Sequence, residues 1–357
     1  MTITLYSLGS NGSGQLGLNH TEDASTPQFV MTIPSSSSPS SGPISISAGG
    51  NHTLLLLPDR PFPLISGLLP FKTPPASTST SEFSPLLLPA SLFHTTSSTW
   101  TTSHLATSTH LYSIGNGPKG ELGLGPSTLQ APDLSPVLDF PPPNTTITQL
   151  SSSMSHTACV LSNGQVYAWG AGRKGQIGLP ALPAVYCPRL VEGVPFAVAK
   201  VICGKEFTVL LGSPSNGEML ILGSDKFGIK SNAPTSVKGW KDAGAGWSSV
   251  FILKENGELI SWGRNDHGQM VPEGLRKARM MAVGSEHVVA VTEDDGNVLA
   301  WGWGEHGNCG PKGIGSNGDG KSFGKHTIYE VKEGEEVVMV GAGCATSWFA
   351  IKRREAS

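Results

Sequence analysis

The sequence predicts an all-β fold, a seven-bladed β-propeller whose blades are four-stranded antiparallel sheets. An Asn-Gly or Asp-Gly dipeptide stands seven residues ahead of a strand-ending glycine in four places, beginning at residues 163, 216, 256 and 295. Such dipeptides form type I′ turns, which join two antiparallel strands by a tight hairpin. A regular internal repeat of this kind is typical of propellers and solenoids.

The repeat is defined by a short strand closed by glycine, as in residues 166–170, Val-Tyr-Ala-Trp-Gly. Seven copies can be counted, and they end at Gly9, Gly67, Gly115, Gly170, Gly223, Gly263 and Gly302. Tryptophan precedes the glycine in three of them, at Trp169, Trp262 and Trp301. We expect these three large apolar side chains to pack between neighbouring blades.

Upstream of each turn lies a second repeated piece, a polar pair followed by an apolar strand, as in Gly50-Asn51-His52-Thr53. The variable position before the histidine is aligned across the seven copies as Asn51, Trp100, Ser155, Glu206, Trp247, Glu286 and Ala345. This alignment assigns Thr101 and Ser248 to the histidine position in two copies that lack a histidine. If the repeats are in register, the variable side chains form a ring around one mouth of the propeller.

The two ends of the chain carry complementary halves of one repeat. The first glycine strand has no upstream partner, and the last upstream piece, residues 347–351, has no glycine strand after it. Pairing them would close the ring and remove exposed strand edges. We therefore predict a single propeller domain over residues 1–357, with low-complexity loops at about 34–43 and 72–90.

The composition excludes several classes of function. A net charge of −3 gives no general reason to bind DNA, and no apolar run reaches the roughly 18 residues that cross a bilayer. We expect no membrane association and an intracellular location, which the family resemblance described below narrows to the cytoplasm and the nucleus. The five cysteines form no Cys-x-x-Cys pair, so the sequence predicts neither a metal site nor a cofactor.

Two nucleotide-binding motifs occur without the flanking structure that they require. Residues 315–322 match the Walker A pattern, and Gly-x-Gly-x-x-Gly begins at Gly115, Gly170 and Gly302. A phosphate cradle needs a buried strand before the loop and a helix after it, and these segments predict no such helix. Since no catalytic constellation is apparent either, we interpret the protein as a non-enzyme.

A third repeated piece follows the glycine strand, as in residues 119–123, Lys-Gly-Glu-Leu-Gly, and 174–178, Lys-Gly-Gln-Ile-Gly. Together with Trp-Gly and Gly-x-His-Thr, it resembles the regulator of chromosome condensation repeat over nearly the whole chain. The resemblance implies a seven-bladed propeller. It also matches His52, His156 and His287 to the structural histidine of that repeat.

Within this family the chain resembles a fungal group, the α-tubulin suppressors, in its compact length, in one poorly conforming early blade and in its long Ser/Pro loops. That resemblance implies a heterodimer with a small CSL-type zinc-binding protein, diphthamide biosynthesis protein three. It further implies association with Elongator, and roles in tRNA wobble-uridine modification and in diphthamide synthesis on elongation factor two. We expect no basic N-terminal arm and hence no direct DNA binding. The alternative function is that of a guanine nucleotide exchange factor for a Ran-like small GTPase.

The partner-binding residues are predicted from the ring of variable positions and its surroundings. Tryptophan is enriched among the residues that dominate protein interfaces. The predicted residues are Trp247, Trp100, Glu206, Glu286, His287, Asn51, Trp240 and Trp303. Trp240 and Trp303 are expected in loops beside the ring.

Overall fold

The computed structural model describes residues 2–34, 44–57, 60, 62–68, 80–86, 93–275, 277–311 and 325–353. Within these ranges the chain forms 26 β-strands and one short 3-10 helix, Lys226–Gly228. The strands are, in chain order, β1 (Thr2–Gly9), β2 (Ala24–Pro34), β3 (Ser45–Ala48), β4 (His52–Leu56), β5 (Leu64–Gly67), β6 (Thr80–Pro85), β7 (Thr95–Ser98), β8 (Thr102–Ala106), β9 (Leu111–Asn116), β10 (Gln130–Pro136), β11 (Ile147–Ser152), β12 (His156–Leu161), β13 (Val166–Ala171), β14 (Ala184–Leu190), β15 (Lys200–Cys203), β16 (Phe207–Leu211), β17 (Met219–Gly223), β18 (Trp240–Ala245), β19 (Ser249–Lys254), β20 (Leu259–Gly263), β21 (Ala278–Val283), β22 (His287–Thr292), β23 (Val298–Gly302), β24 (His326–Tyr329), β25 (Glu335–Ala342) and β26 (Thr346–Arg353).

The strands form seven antiparallel sheets, which are the blades of a propeller. Blade 1 is β3 to β6, blade 2 is β7 to β10, blade 3 is β11 to β14, blade 4 is β15 to β17, blade 5 is β18 to β20, blade 6 is β21 to β24, and blade 7 combines β25, β26, β1 and β2. The innermost strands touch one another in a closed cycle, in the order β3, β7, β11, β15, β18, β21, β25 and back to β3. The predicted seven-bladed, all-β ring is confirmed.

The ring closes through the two ends of the chain, as the sequence predicts. Strand β1 pairs antiparallel with β26, with Thr2 opposite Arg353 and Gly9 opposite Thr346. The two strands share one sheet with β2 and β25. Since β1 is paired on both sides, the N-terminal strand leaves no open edge at the closure.

All seven predicted glycine strands are present, and the closing glycine has the same structural reason in each. Every one of these glycines has a positive φ, from 93° at Gly67 to 120° at Gly115. A Cβ at Gly115 would collide with the Thr101 carbonyl oxygen, and the equivalent carbonyl lies against each of the other six. Glycine is therefore required because the chain both takes a left-handed conformation and passes close to the turn that precedes the adjacent strand, the second strand of the blade.

Two blades differ from the predicted four strands. Blades 4 and 5 have three strands each in the described residues, whereas the other five blades have four. The connections that leave them, residues 224–239 and 264–277, are about half as long as the equivalent residues 117–146 and 172–199. Such a short connection accommodates the loop after the glycine strand but not an additional outer strand.

The predicted loop at about 72–90 contains the outer strand of blade 1, β6. Phe83 anchors this strand to the core, since its ring lies where a Cβ of Gly17 would be and packs edge-on against Trp348 at 5.8 Å. Residues 72–79 and 87–90 of this loop, residues 35–43 of the other predicted loop, and the Walker-like segment 315–322 lie outside the described residues.

The apolar core is divided among the interfaces between adjacent blades. Trp169, Trp262 and Trp301 are buried there, as predicted. Their indole Nε1 atoms donate to backbone carbonyls in the loop of the preceding blade, at 3.0, 2.8 and 3.0 Å. Each of these residues therefore both fills an interface and satisfies its own polar atom.

The repeated histidines form the polar part of the same interfaces. His52 Nε2 lies 2.7 Å from Ser103 Oγ, and His156 Nε2 lies 2.9 Å from Thr208 Oγ1, in each case in the next blade. Burial lowers the pKa of both histidines to about 4. Their predicted structural role is confirmed. Within the described part of the chain, no helix has the length and hydrophobicity that a membrane span requires.

Candidate functional site

The turn after each innermost strand brings one residue of every blade to the mouth of the central channel. From blade 1 to blade 7 these residues, which we call the mouth ring, are Gly50, Trp100, Met154, Lys205, Trp247, Ser285 and Cys344. Backbone hydrogen bonds connect neighbouring turns. The Gly50 amide donates to the Trp100 carbonyl at 3.0 Å, and the Trp247 amide donates to the Ser285 carbonyl at 2.7 Å. The turns after the glycine strands lie on the same side, which we call the tryptophan face, and the opposite side is the hairpin face.

Strand pairing corrects the alignment of the repeat in two blades. The strand-ending glycine is opposite a histidine in blades 1 and 3 but opposite a hydroxyl residue in blades 2 and 5. The histidine equivalents there are Thr102 and Ser249, in place of the predicted Thr101 and Ser248. Runs of small hydroxyl residues contain no imidazole side chain that would mark the register. The histidine-equivalent position was therefore predicted one residue too early in both blades. Both tryptophans consequently belong to the mouth ring and not to the variable position.

Trp100 and Trp247 meet at the mouth although they come from blades 2 and 5. Their ring centroids are 6.0 Å apart, with an angle of 41° between the planes. The indole of Trp100 lies over Gly50, where an added Cβ would be 2.7 Å from the ring. On the other side, the Lys205 ammonium lies 5.3 Å from the Trp247 ring, within the range of a cation–π contact. With Trp100 36% exposed, the pair presents apolar surface to solvent.

A groove of about 320 Å³, the aromatic groove, begins at Trp247 and crosses blades 4 to 6. Phe227 and Trp303 line it and are 42% and 36% exposed. Arg264 lies 5.7 Å from the first ring and 6.0 Å from the second, and His267 stacks on Trp303 at 4.2 Å. Phe227 has a left-handed backbone with φ 64°, a conformation that costs roughly 1–2 kcal/mol. The fold thus maintains an unfavourable backbone geometry where an aromatic ring faces solvent.

A second groove of about 730 Å³, the basic groove, begins at Trp100 and crosses blades 2 to 4. Its exposed cations are Lys119, Arg173, Lys174 and Lys205. In the described part of the chain, none of the four forms an ion pair with a carboxylate. Glu121 is buried and accepts a hydrogen bond from the Lys119 amide at 2.7 Å, while Glu206 is half-buried at the border with the aromatic groove. The groove therefore has an excess of positive charge.

Two of the predicted binding residues, Glu286 and His287, are buried and serve the propeller itself. The Glu286 carboxylate accepts hydrogen bonds from Arg264 at 3.1 Å and from Gln269 at 2.9 Å. His287 Nε2 lies 2.9 Å from Ser347 Oγ in the next blade, and burial lowers the pKa of His287 to about 4. The expectation that both lie exposed at the mouth is wrong, because internal partners hold them: Arg264 and Gln269 bind Glu286, and Ser347 binds His287. Glu286 still forms part of the wall of the aromatic groove.

Trp240 is also placed differently from the prediction. It is the first residue of β18, on the hairpin face, it is 7% exposed, and its Nε1 donates to the Gly212 carbonyl at 3.1 Å. The length of the innermost strand separates it from Trp247. Asn51 and Trp303 do lie exposed on the tryptophan face, and Glu206 lies half-buried there.

Several residues that line the site are absent from the sequence-based prediction, namely Lys119, Arg173, Lys174, Lys205, Phe227 and Arg264. A signal for two of them was available. Lysine occupies the same position in the third repeated piece at residues 119 and 174, and histidine occupies it at residues 267 and 306. A recurrent basic residue type on one face of a propeller is a pattern that alignment of the repeats reveals.

The histidines and cysteines are the candidate groups for a metal site and for thiol chemistry, and Cys159 and Cys203 are buried in the core. Among the described residues, no three His, Cys, Asp or Glu side chains are grouped to hold a metal ion. Burial raises the pKa of the Cys203 thiol to about 12 and also raises that of Cys159. These thiols are neutral near pH 7 and lack the thiolate that nucleophilic chemistry requires.

Comparison with known proteins agrees with the geometry. Two models described as the regulator of chromosome condensation (RCC1) repeat match the chain, one at residues 4–56 and 163–211, the other at 147–176, 240–269 and 281–308. An RCC1 repeat-containing protein of Schizosaccharomyces pombe is 30% identical over 377 residues, which cover 98% of this chain and 99% of that protein.

Two further similarities are more distant. The secretion-regulating guanine nucleotide exchange factor of Mus musculus is 25% identical over 76% of this chain and 50% of its own length. The structure of Prp20p from Saccharomyces cerevisiae, described with its binding properties to Gsp1p and histones, has a TM-score of 0.80 at 19% identity over 99% of this chain and 92% of its own. That likeness shows the fold. With the near full-length relative, the repeats and the seven blades, the chain belongs to the RCC1 repeat family.

Proposed function

We propose that this protein is a non-catalytic interaction propeller that binds a protein partner on its tryptophan face. The observation that carries the proposal is the contact of Trp100 with Trp247, two residues from distant blades that meet at the channel mouth and remain in part exposed. Buried tryptophans elsewhere in the chain fill interfaces between blades. A solvent-facing pair is instead typical of the aromatic anchors that dominate protein interfaces.

The rest of the face supports a protein partner. The two grooves extend the contact area on either side of the tryptophan pair, one with aromatic rings and the other with cations. Aromatic residues and arginine are enriched in interfaces, and a central apolar contact with a polar rim is their usual arrangement. The buried, neutral histidines and thiols are occupied in packing, which supports a binding function over a catalytic one.

We further propose the partner that the sequence resemblance suggests, a small CSL-type zinc-binding protein, diphthamide biosynthesis protein three. By analogy with the fungal α-tubulin suppressor, also called killer toxin insensitivity protein thirteen, the heterodimer would support Elongator-dependent tRNA modification and diphthamide synthesis. The location would be cytoplasmic and nuclear. Membership of the repeat family and the exposed aromatic mouth support this assignment.

A second candidate is nucleotide exchange on a Ran-like small GTPase. It is favoured by one specific observation, the similarity to a mouse guanine nucleotide exchange factor over 76% of the chain. The same face would then contact the GTPase, with Trp100 and Trp247 against its surface.

Two parallel assays on the purified protein separate these candidates. Isothermal titration calorimetry measures binding of the CSL zinc protein, and the rate at which a Ran-like GTPase releases labelled GDP measures nucleotide exchange. The interaction propeller predicts saturable binding of the zinc protein and an unchanged rate of GDP release. Accelerated GDP release with no binding of the zinc protein would overturn the proposal in favour of the exchange factor.

A further inference from the structure

The basic groove has a feature that the tryptophan pair does not fully explain, namely four cations that form no ion pair with a carboxylate of the described residues. Of these, Lys205 also contacts the Trp247 ring. Lys119 and the pair Arg173 and Lys174 come from loops of neighbouring blades, and Lys205 comes from the mouth ring of the next blade. All are exposed, and they line one continuous groove of about 730 Å³ that reaches Trp100. Like charges held together raise the free energy of the unbound protein, and a binding partner of opposite charge relieves this repulsion.

The groove also contains apolar surface. Met154, Tyr186 and Pro183 line it together with Trp100, and the first two are half-buried. A ligand that fits must therefore bring negative charge and apolar side chains within one short stretch. Acidic polypeptide segments with interspersed large hydrophobic residues meet this requirement.

We propose that the basic groove binds an acidic segment of the partner protein, with carboxylates against Lys119, Arg173, Lys174 and Lys205 and apolar side chains against Met154 and Tyr186. This inference rests on the proposed function, since it defines the chemistry of the partner that the tryptophan face binds. The aromatic pair would supply most of the affinity, and the cations would supply the rate of association and the orientation.

A protein segment fits this groove better than a nucleic acid does. A nucleic acid carries a negative charge at every nucleotide, and its backbone would have to pass Glu206, which lies half-buried where the basic groove meets the aromatic groove. An acidic peptide can place an uncharged or basic side chain at that point.

The test uses charge reversal in the full-length protein with a matched control. The triple variant Lys119→Glu, Arg173→Glu and Lys174→Glu removes three cations of the groove. The control variant Lys238→Glu, Lys277→Glu and Lys332→Glu makes the same change in net charge at exposed lysines that precede innermost strands on the hairpin face. Circular dichroism and thermal unfolding establish that both variants are folded.

The first probe is independent of the proposed partner. It is a short fluorescein-labelled peptide rich in Asp and Glu with two leucines, compared by anisotropy with its counterpart in which Lys replaces every acid and with an oligouridylate of equal length. We expect the acidic peptide alone to bind, with affinity about tenfold lower in the groove variant and unchanged in the control. Failure of the acidic peptide to bind, equal weakening in both variants, or stronger binding of the RNA would overturn the inference.

The second probe is the CSL zinc protein itself. We expect its affinity for the groove variant to fall about tenfold at low ionic strength and the difference to shrink as salt is added. If the zinc protein fails to bind the wild-type protein, the proposed partner is wrong, and the peptide measurement still decides the nature of the groove. If it binds both variants with wild-type affinity, the inference is wrong and the proposed partner stands.

Discussion

Two groups of tryptophans in this protein have the same side chain but opposite environments. Trp169 and Trp301 are fully buried between blades, and their Nε1 atoms donate to carbonyls of the preceding blade. Trp100 and Trp247 meet across the channel mouth, where Trp100 is 36% exposed. Each tryptophan of the first group directly precedes the closing glycine of its strand, whereas those of the second group lie in the turn after the innermost strand. Position within the repeat, and not residue type, therefore decides whether a tryptophan stabilises the propeller or is available to a partner.

The largest expected effect tests the buried group. Trp301→Ala removes a fully buried indole and should lower the free energy of unfolding by about 3–5 kcal/mol, since such truncations leave a cavity. Urea unfolding followed by circular dichroism measures this loss. Trp301→Phe retains most of the apolar volume but leaves the Gln269 carbonyl without its donor, so a smaller loss of about 1–3 kcal/mol is expected. A wild-type midpoint in the alanine variant would contradict the assignment of Trp301 to the core.

The polar contacts between blades predict a dependence of stability on pH. His156 is buried with its pKa lowered to about 4, below the value of about 6.5 in the unfolded chain. The unfolded state therefore takes up a proton first as the pH falls, and stability is lost between about pH 6.5 and pH 4 at up to about 1.4 kcal/mol per pH unit.

The variant His156→Gln removes this titration while its amide can still donate to Thr208 Oγ1. We expect its stability to fall less steeply than that of the wild type, with a difference of about 2 kcal/mol accumulated by pH 4.5. Urea midpoints measured across this range give both slopes. Since the carboxylates are the same in both proteins, parallel slopes would show that His156 is protonated in the folded state.

A smaller effect tests the support of the exposed pair. Gly50→Ala places a Cβ 2.7 Å from the Trp100 ring, so the indole must leave its present position beside Trp247. We expect a loss of about 1 kcal/mol in stability, at the low end for overpacking because the ring can shift toward solvent. The near-ultraviolet circular dichroism of the pair should also change. Gly12→Ala, where nothing lies within 4 Å of the added atom, is the matched control. Identical spectra for Gly50→Ala and the wild type would show that the contact with Gly50 does not position Trp100.

The sequence predicted those features of the fold that depend on local chemistry. The seven glycine strands and the closure of β1 on β26 follow from turn dipeptides and from glycines that the backbone requires. The strand β6 was missed because its Ser/Thr-rich segment matches a loop, while Phe83 anchors it to the core by packing against the distant Trp348. The three-stranded blades 4 and 5 reflect connection length, which a search for repeated residues does not measure.

The site was harder to predict than the fold. Trp100 and Trp247 were identified from the sequence, yet their register was wrong by one residue because Thr102 and Ser249 replace the histidine. Trp240 was assigned to the wrong face, since the start and the end of an innermost strand lie on opposite sides of the propeller. The cations of the basic groove come from three successive blades, and the packing of these blades against one another brings them together.

The central claim, that the exposed tryptophans form the partner-binding site, is tested most directly by isothermal titration of the CSL zinc protein into the variant Trp100→Ala, Trp247→Ala. We predict that affinity falls by about 2 kcal/mol or more, about 30-fold, with a thermal midpoint close to that of the wild type. The variant Trp100→Phe, Trp247→Phe should retain an intermediate affinity because it preserves aromatic contact. Wild-type affinity in the folded alanine variant would contradict the claim.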